Sequence, residues 1–322
     1  VHPAQMMTWE QIEPALPPVG MAGRIRLIDI AEGFILEAAK DPALMLKCAE
    51  EWLEPNDPPK HNWSTPPEWL RIVRGCATRG IFSFLTPDQL LYVNDKPVLH
   101  NTLGVGKGKH LDNGKEILRM VMNLDVTNSM LRIIMGDIRS LPYPGQWQSI
   151  SIVDEQMVLL FSSSDLTCAY YILALERPWY KHLAFADPVS GSDIADIAPE
   201  LANEPELYAC STVLPMGYNG ASGIMQYAHM RMATGASPRG AHLSPAAQLR
   251  CDYPAPQLSE ALCDLLWEMF QDNFDLTEMV QINDAQDLIG SQSPVLADMC
   301  DVYAYWGDPT AKEKLLQRQI IC

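Results

Sequence analysis

The stretch SSSDLTCAYYILAL, residues 162–175, follows the apolar run MVLLF and carries Asp165. The stretch MFQDNFD, residues 269–275, carries Asp272 two residues after the mainly apolar run LLWEMF. Acidic groups that converge at strand ends supply the carboxylate oxygens that hard divalent cations such as Mg²⁺ bind. The two aspartates lie 107 residues apart, so only the fold can bring them together. Taken singly, each also suits an ordinary role, Asp165 as a cap and Asp272 as a turn residue.

The pattern of apolar residues around these stretches predicts an α+β protein. Short β-like runs separated by turn-rich segments indicate hairpins, and they read LLYV, VLHNTLGV and ILRMVMNL. Helical periodicity marks PPEWLRIVRGCATRG, NGASGIMQYAHMRMAT and AQDLIGSQSPVLADMCDVYAYWG. A strand, a tight turn at Gln271, Asp272 and Asn273, and a second strand follow from LSEALCDLLWEMF and DNFDLTEMVQI. Strands and helices alternate without a repeat, which favours α+β over a parallel βαβ array.

Three further segments receive predictions of their own. Residues 1–60 are acidic and rich in proline, and we expect a helical lead-in with helices in IDIAEGFILEAAK and ALMLKCAEEWLEP. The acidic stretch DPVSGSDIADIAPELANEPE, residues 187–206, is expected to be a mobile surface loop. The segment GDPTAKEKLL is expected to be a polar turn that runs into the end of the chain.

Composition excludes several classes of protein. The eight cysteines include no CxxC pair and no Cys/His cluster at zinc spacing, so neither a structural zinc site nor a disulfide scaffold is expected. No run of about 18 apolar residues occurs and no secretion signal opens the sequence, which predicts an intracellular protein without a membrane span.

The charge is distributed unevenly. The formal net charge is -17, which disfavours a grip on phosphate backbones. Residues 60–145 nevertheless hold 11 Lys or Arg against 7 Asp or Glu, whereas the rest of the chain holds 12 against 33. Such asymmetry can mark a surface that faces a polyanion, and an ordinary mixed-charge surface is the equal alternative.

Five segments occur in the order of the motifs of reverse transcriptases, and over roughly residues 80 to 320 the chain resembles the fingers and palm of that family. They are LRMVMNLDVTN, SSDLTCAYYILAL, VLPMGYNGASGIMQ, MFQDNFD and WGDPTAKEK. The resemblance implies a reverse-transcriptase-like fingers/palm fold with an antiparallel palm sheet backed by helices. It divides the chain into the lead-in 1–60, a fingers-like region 61–150 and a palm-like region 151–322. Eight residues follow the last motif, so we expect no thumb.

The resemblance also implies an activity. It is RNA-directed DNA synthesis on an RNA or DNA template-primer from deoxynucleoside triphosphates, with Mg²⁺ as cofactor and Mn²⁺ as the alternative. Asp165, Asp272 and Asn273 stand at the metal-binding positions. Lys314, with Lys312 as the alternative, stands at the position of the general acid for pyrophosphate.

The nucleotide-binding positions of the family fall on Arg119, Lys107, Tyr170, Met216 and Gly217. The ring at Tyr170 would lie where a ribose 2′-hydroxyl sits and so favour deoxynucleotides. A tyrosine in the core is its alternative role, and Tyr171 could fill either one. Asn128 matches the Asn that closes the fingers motif.

One departure bears on activity. Asn273 replaces the second carboxylate of the family's Asp pair, and because an amide oxygen brings no charge we expect weaker metal binding and a preference for Mn²⁺. Asp275, two residues further on, would point the same way on a regular strand.

Three alternatives stay open. The first is a decayed, catalytically silent reverse-transcriptase-like domain that at most binds nucleic acid. The second is an RNA-dependent RNA polymerase. The third is an unrelated α+β enzyme, in which Asp165 and Asp272 would lie far apart.

Overall fold

The computed structural model describes residues 3–150, 152, 154–235, 243–258, 264–307, 310 and 315–320. Within these ranges the strands β1 to β13 are, in order, Ala4–Gln5, Ile25–Arg26, Phe82–Leu85, Tyr92–Val93, Lys96–Pro97, Asn101–His110, Glu116–Asn123, Met157–Asp165, Leu173–Ala174, Tyr208–Ser211, Leu265–Phe270, Asn273–Gln281 and Leu316–Ile320. The helices α1 to α9 are Trp9–Ile12, Leu27–Ile30, Gly33–Lys40, Pro66–Thr78, Asp125–Met130, Ala169–Ile172, Ala221–Thr234, Ile282–Leu288 and Pro294–Trp306. The mixture of helices and mainly antiparallel strands confirms the α+β class.

The chain divides into two compact units. Unit 1 comprises Val1–Ile134 and Tyr170–Ala221, and unit 2 comprises Met135–Ala169 and Ser222–Cys322. The chain therefore passes from one unit to the other three times. These boundaries differ from the contiguous segments 1–60, 61–150 and 151–322, whose assignment as lead-in, fingers-like and palm-like regions stays a prediction.

Unit 2 is built on a four-stranded antiparallel sheet in the order β11-β12-β8-β13. Its core face carries fully buried side chains such as Phe274 and Leu276, and helix α9 contacts β8. The hairpin between β11 and β12 forms as predicted. Its turn consists of Gln271 and Asp272 alone, because Asn273 is already the first residue of β12.

Unit 1 contains a three-stranded sheet in the order β1-β6-β7 and three two-stranded pairs. The predicted hairpins form as β4–β5 and β6–β7. The predicted helix in PPEWLRIVRGCATRG forms as α4 and buries one face, which consists of Trp69, Ile72, Val73 and Cys76. Gly80, at φ 76°, follows its end in the left-handed conformation that glycine adopts without steric cost.

The prediction of a helix in ALMLKCAEEWLEP is wrong. Two 3-10 helices, Pro42–Met45 and Ala49–Glu51, take its place. Between them the Lys47 N–H donates to the Met130 carbonyl, and Leu46 forms a β-bridge with Leu131. Pairing with a distant segment therefore overrides the local helix propensity.

The predicted polar turn GDPTAKEKLL, residues 307–316, lies mostly outside the described residues. At its end, Leu316–Ile320 form β13 at the edge of the sheet. Arg318, largely buried, donates to both carboxylate oxygens of Glu278 on β12, at 2.8 and 2.7 Å. This bidentate ion pair fixes the strand.

The acidic segment 187–206 contains no strand or α-helix, in keeping with the predicted loop. It is nevertheless hydrogen-bonded and packed. Val189 and Leu207 exchange two backbone hydrogen bonds, each 2.9 Å long. Ile194 is completely buried. The segment is therefore packed onto the rest of unit 1.

Candidate functional site

The β11–β12 turn meets the end of β8. Asp165 is the last residue of β8, and its register partner on β12 is Asn273. The Leu166 N–H donates to the Asp272 carbonyl at 2.9 Å. Asp165, Asp272 and Asn273 thus share one end of a single sheet, which excludes an arrangement on unconnected surfaces.

Strand alternation extends this end into a polar face. Asp275 lies two residues beyond Asn273, and its register partners are Ser163 on β8 and Glu268 on β11. The Ser163 hydroxyl donates to the Asp275 carboxylate. The face of the sheet that carries Asp165 and Asn273 therefore carries two more carboxyl groups.

Glu268 is the site residue that the sequence analysis missed. Burial, followed by the nearby charge of Asp275, raises the pKa of Glu268 to about 7. Burial also raises the pKa of Asp275, which is hydrogen-bonded to Glu268. The Glu268 carboxyl group is therefore expected to keep its proton up to about neutral pH. The signal was present in the sequence, since Glu268 is the one charged residue of the strand LLWEMF.

Replacing Glu268 with glutamine should stabilise the protein above pH 7. Because the folded-state pKa of Glu268 is raised, its contribution favours folding in acid and is lost as the pH rises through about 7. Glutamine stays neutral and keeps a donor for Asp275. We expect a gain of about 1–2 kcal/mol in the free energy of unfolding at pH 8, after allowance for solvent screening, and a gain near zero at pH 4.

Urea unfolding at pH 4, 6 and 8 measures this difference. Glu278→Gln on the same sheet is the control, because its carboxylate is paired with Arg318 and its loss should destabilise the protein. A Glu268→Gln gain that does not change with pH would contradict the raised pKa of Glu268.

The candidate nucleotide-binding residues belong to unit 1. Arg119 lies exposed on β7, opposite Val105 of β6, and Lys107 lies exposed further along β6. Both cations thus project from the same hairpin, where they are accessible to an anion.

The LPMG segment forms a tight turn beside β7. The Met122 N–H donates to the Met216 carbonyl at 2.9 Å. Asn128 holds the turn from the other side, because its amide donates to the Gly217 carbonyl at 2.8 Å and accepts from the Asn219 N–H at 2.9 Å. The strand that carries Arg119 therefore also fixes Met216 and Gly217, and Asn128 acts on the backbone of this turn.

The two adjacent tyrosines have different surroundings. They lie on the short helix α6. Tyr171 is buried, whereas Tyr170 is partly exposed. The core role thus falls to Tyr171, and Tyr170 is the one accessible to a ligand. Lys312 and Lys314, the candidates for the general acid, lie outside the described residues.

The donors at the strand end fit a hard cation only in part. Across the described ranges, no three or more His, Cys, Asp or Glu side chains come together in a way that could hold a metal ion. Asp165, Asp272 and Asn273 offer two carboxylates and one amide, all oxygen donors. Mg²⁺ is commonly bound through one or two carboxylates, with waters and substrate phosphates completing the shell. These side chains thus supply oxygen donors of the type that Mg²⁺ binds, without forming a complete set of ligands among the described residues.

No protein-family model and no curated protein matches this chain. The resemblance to reverse transcriptases thus continues to rest on the motifs. None of the helices in the described part of the chain has the length and apolar character needed to cross a bilayer.

Proposed function

We propose that this chain is the fingers-and-palm portion of a reverse-transcriptase-type polymerase, which adds deoxynucleotides to a primer on an RNA or DNA template. The observation that supports it is the meeting of Asp165 with the Asp272–Asn273 segment at one end of an antiparallel sheet. A spacing of 107 residues has no local reason to produce this meeting. The motif order named both positions from the sequence alone.

Each residue has a role in this proposal. Divalent cations, when bound, supply activation of the primer hydroxyl and neutralisation of the leaving pyrophosphate. Asp165 and Asp272 hold them with charged oxygens, and Asn273 contributes a neutral one. Arg119 and Lys107 neutralise the triphosphate, while the Met216–Gly217 backbone lines its pocket. Tyr170 excludes the ribose 2′-hydroxyl and Lys314 protonates pyrophosphate.

A silent domain of the same type is the second candidate. Asn273 removes one negative charge from the strand end, and the described residues bring no three acidic side chains into metal-binding geometry. Such a domain would bind nucleic acid through the basic residues of the segment 60–145 without turnover. An intracellular location is part of both proposals.

Primer extension by the full chain separates these candidates. The reaction uses a DNA primer on an RNA template, with Mg²⁺ or Mn²⁺, and with deoxynucleotides or ribonucleotides. We expect extension with deoxynucleotides only, and more of it in Mn²⁺. Salt-dependent binding without extension in either metal would leave the silent domain. Equal use of ribonucleotides would favour an RNA-dependent RNA polymerase.

Changing Asn273 to aspartate should strengthen metal binding. The substitution adds a negative charge beside Asp165. A negative charge and a positive unit charge about 4 Å apart attract each other by about 4 kcal/mol at an effective dielectric of 20, which favours a bound cation. We expect at least a tenfold lower half-saturating Mg²⁺ concentration in primer extension. Asn283→Asp, exposed on α8, makes the same change in net charge elsewhere and should shift nothing. Equal behaviour of the two variants would show that Asn273 is not at the metal site.

A further inference from the structure

The β11–β12 turn rests on a buried polar support from helix α7. Gln226 is fully buried, and its amide nitrogen donates to the Met269 carbonyl at 2.9 Å and to the Ser140 hydroxyl at 3.1 Å. Its amide oxygen accepts from the Gln271 N–H at 2.7 Å. One side chain thus binds the last part of β11 and the first residue of the turn.

His229 lies one helical turn further along α7 and is also fully buried. Its Nδ1 lies 2.7 Å from the Gln271 carbonyl, and its Nε2 lies 2.7 Å from the Tyr303 hydroxyl on α9. Because a carbonyl only accepts, Nδ1 must carry the proton, and Nε2 then accepts from Tyr303. Burial lowers the pKa of His229 to about 4, so the neutral ring persists at neutral pH.

Both backbone polar groups of Gln271 are therefore held by α7. This matters because Gln271 adopts a left-handed conformation at φ 56°, which is unfavourable for a residue with a Cβ. The next residue, Asp272, is bonded through its carbonyl to Leu166, beside Asp165. The support from α7 thus holds the residue that immediately precedes a candidate metal ligand.

We infer that Gln226 and His229, with Tyr303 behind His229, are positioning residues that hold Asp272 in place beside Asp165. The inference rests on the proposed function and extends it to side chains that need not touch a metal or a nucleotide. Partners behind metal ligands are commonly worth 10–100-fold in metal affinity. Loss of the His229 donor removes its hydrogen bond to the Gln271 carbonyl and frees the turn to shift.

The test compares His229→Leu with His229→Asn in the full chain. Asparagine keeps an N–H donor near the position of Nδ1, whereas leucine keeps only the volume. For the leucine variant we expect at least a tenfold higher half-saturating Mn²⁺ concentration in primer extension, and at least tenfold faster amide exchange at Gln271 and Leu166. The asparagine variant should stay within about threefold of wild type in both. Tyr303→Phe, which keeps the ring and removes the donor to Nε2, should show the same shifts to a smaller extent and serves if His229→Leu does not fold.

Two results would overturn the inference. One is exchange at Gln271 and Leu166 that is unchanged in the leucine variant, or in Tyr303→Phe if that variant replaces it. The other is faster exchange with an unchanged half-saturating Mn²⁺ concentration, which would make the support merely structural. A wild-type protein that extends no primer would overturn the proposed function instead. Amide exchange together with Mn²⁺ binding, followed by electron paramagnetic resonance, would then decide whether His229 holds the turn for a cation.

Discussion

Asp165→Asn is expected to lower primer extension by about 10³-fold while the protein stays folded. Asp165 supplies a charged oxygen at the end of β8, next to the Asp272 carbonyl and opposite Asn273. The amide has the same shape, so the pairing of β8 with β12 should survive. A 10³-fold lower rate corresponds to about 4 kcal/mol less stabilisation of the transition state by the metal ion, at about 1.36 kcal/mol for each tenfold change in rate.

The measurement is single-nucleotide primer extension at saturating Mn²⁺, with urea unfolding of the same samples. Asp284→Asn is the matched control, because Asp284 is exposed on α8 and makes the same change in charge. A folded Asp165→Asn variant that keeps more than a tenth of the wild-type rate would show that Asp165 is not a metal ligand. A control that loses activity equally would point to net charge instead of the site.

Local sequence signals, such as apolar periodicity and turn residues, predict helix α4 and the hairpins. Helix α4 follows from prolines at its start, an apolar stripe and Gly80 after its end, and the structure shows each of these features. The β6–β7 and β11–β12 hairpins follow from turn-rich segments between apolar runs. No such rule connects Asp165 with Asp272, and only the motif resemblance placed both in one site.

The remaining features depend on pairing between distant segments. Glu268 lies opposite Asp275 because the turn between β11 and β12 has two residues. A turn assigned one residue too long shifts the register, so that the pairing of Glu268 with Asp275 is not predicted. Strand β13 forms through its pairing with β8 and the Arg318–Glu278 ion pair, to which the local sequence gives no clue. His229 has the same character, since the sequence shows a histidine on an apolar helix and not its two partners.

Gly217→Ala is expected to destabilise the protein by about 4 kcal/mol or more. Gly217 adopts φ 127°, a backbone conformation that residues with a Cβ rarely adopt. A Cβ there would lie 1.8 Å from the Met122 carbonyl oxygen and 2.9 Å from its carbon. These are backbone atoms of β7, so relief requires the turn to leave the strand and to give up the Met122–Met216 hydrogen bond.

Gly80→Ala separates the collision from the backbone conformation. Gly80 is also left-handed, at φ 76°, but no atom lies within 4 Å of the place where its Cβ would be. Its replacement should therefore cost only about 1–2 kcal/mol, the penalty of the conformation itself. Urea unfolding of both variants gives the difference directly. Equal destabilisation by the two substitutions would show that the LPMG turn does not pack against β7 as described. It would also remove the structural support for the proposal that the Met216–Gly217 backbone lines a nucleotide pocket beside Arg119.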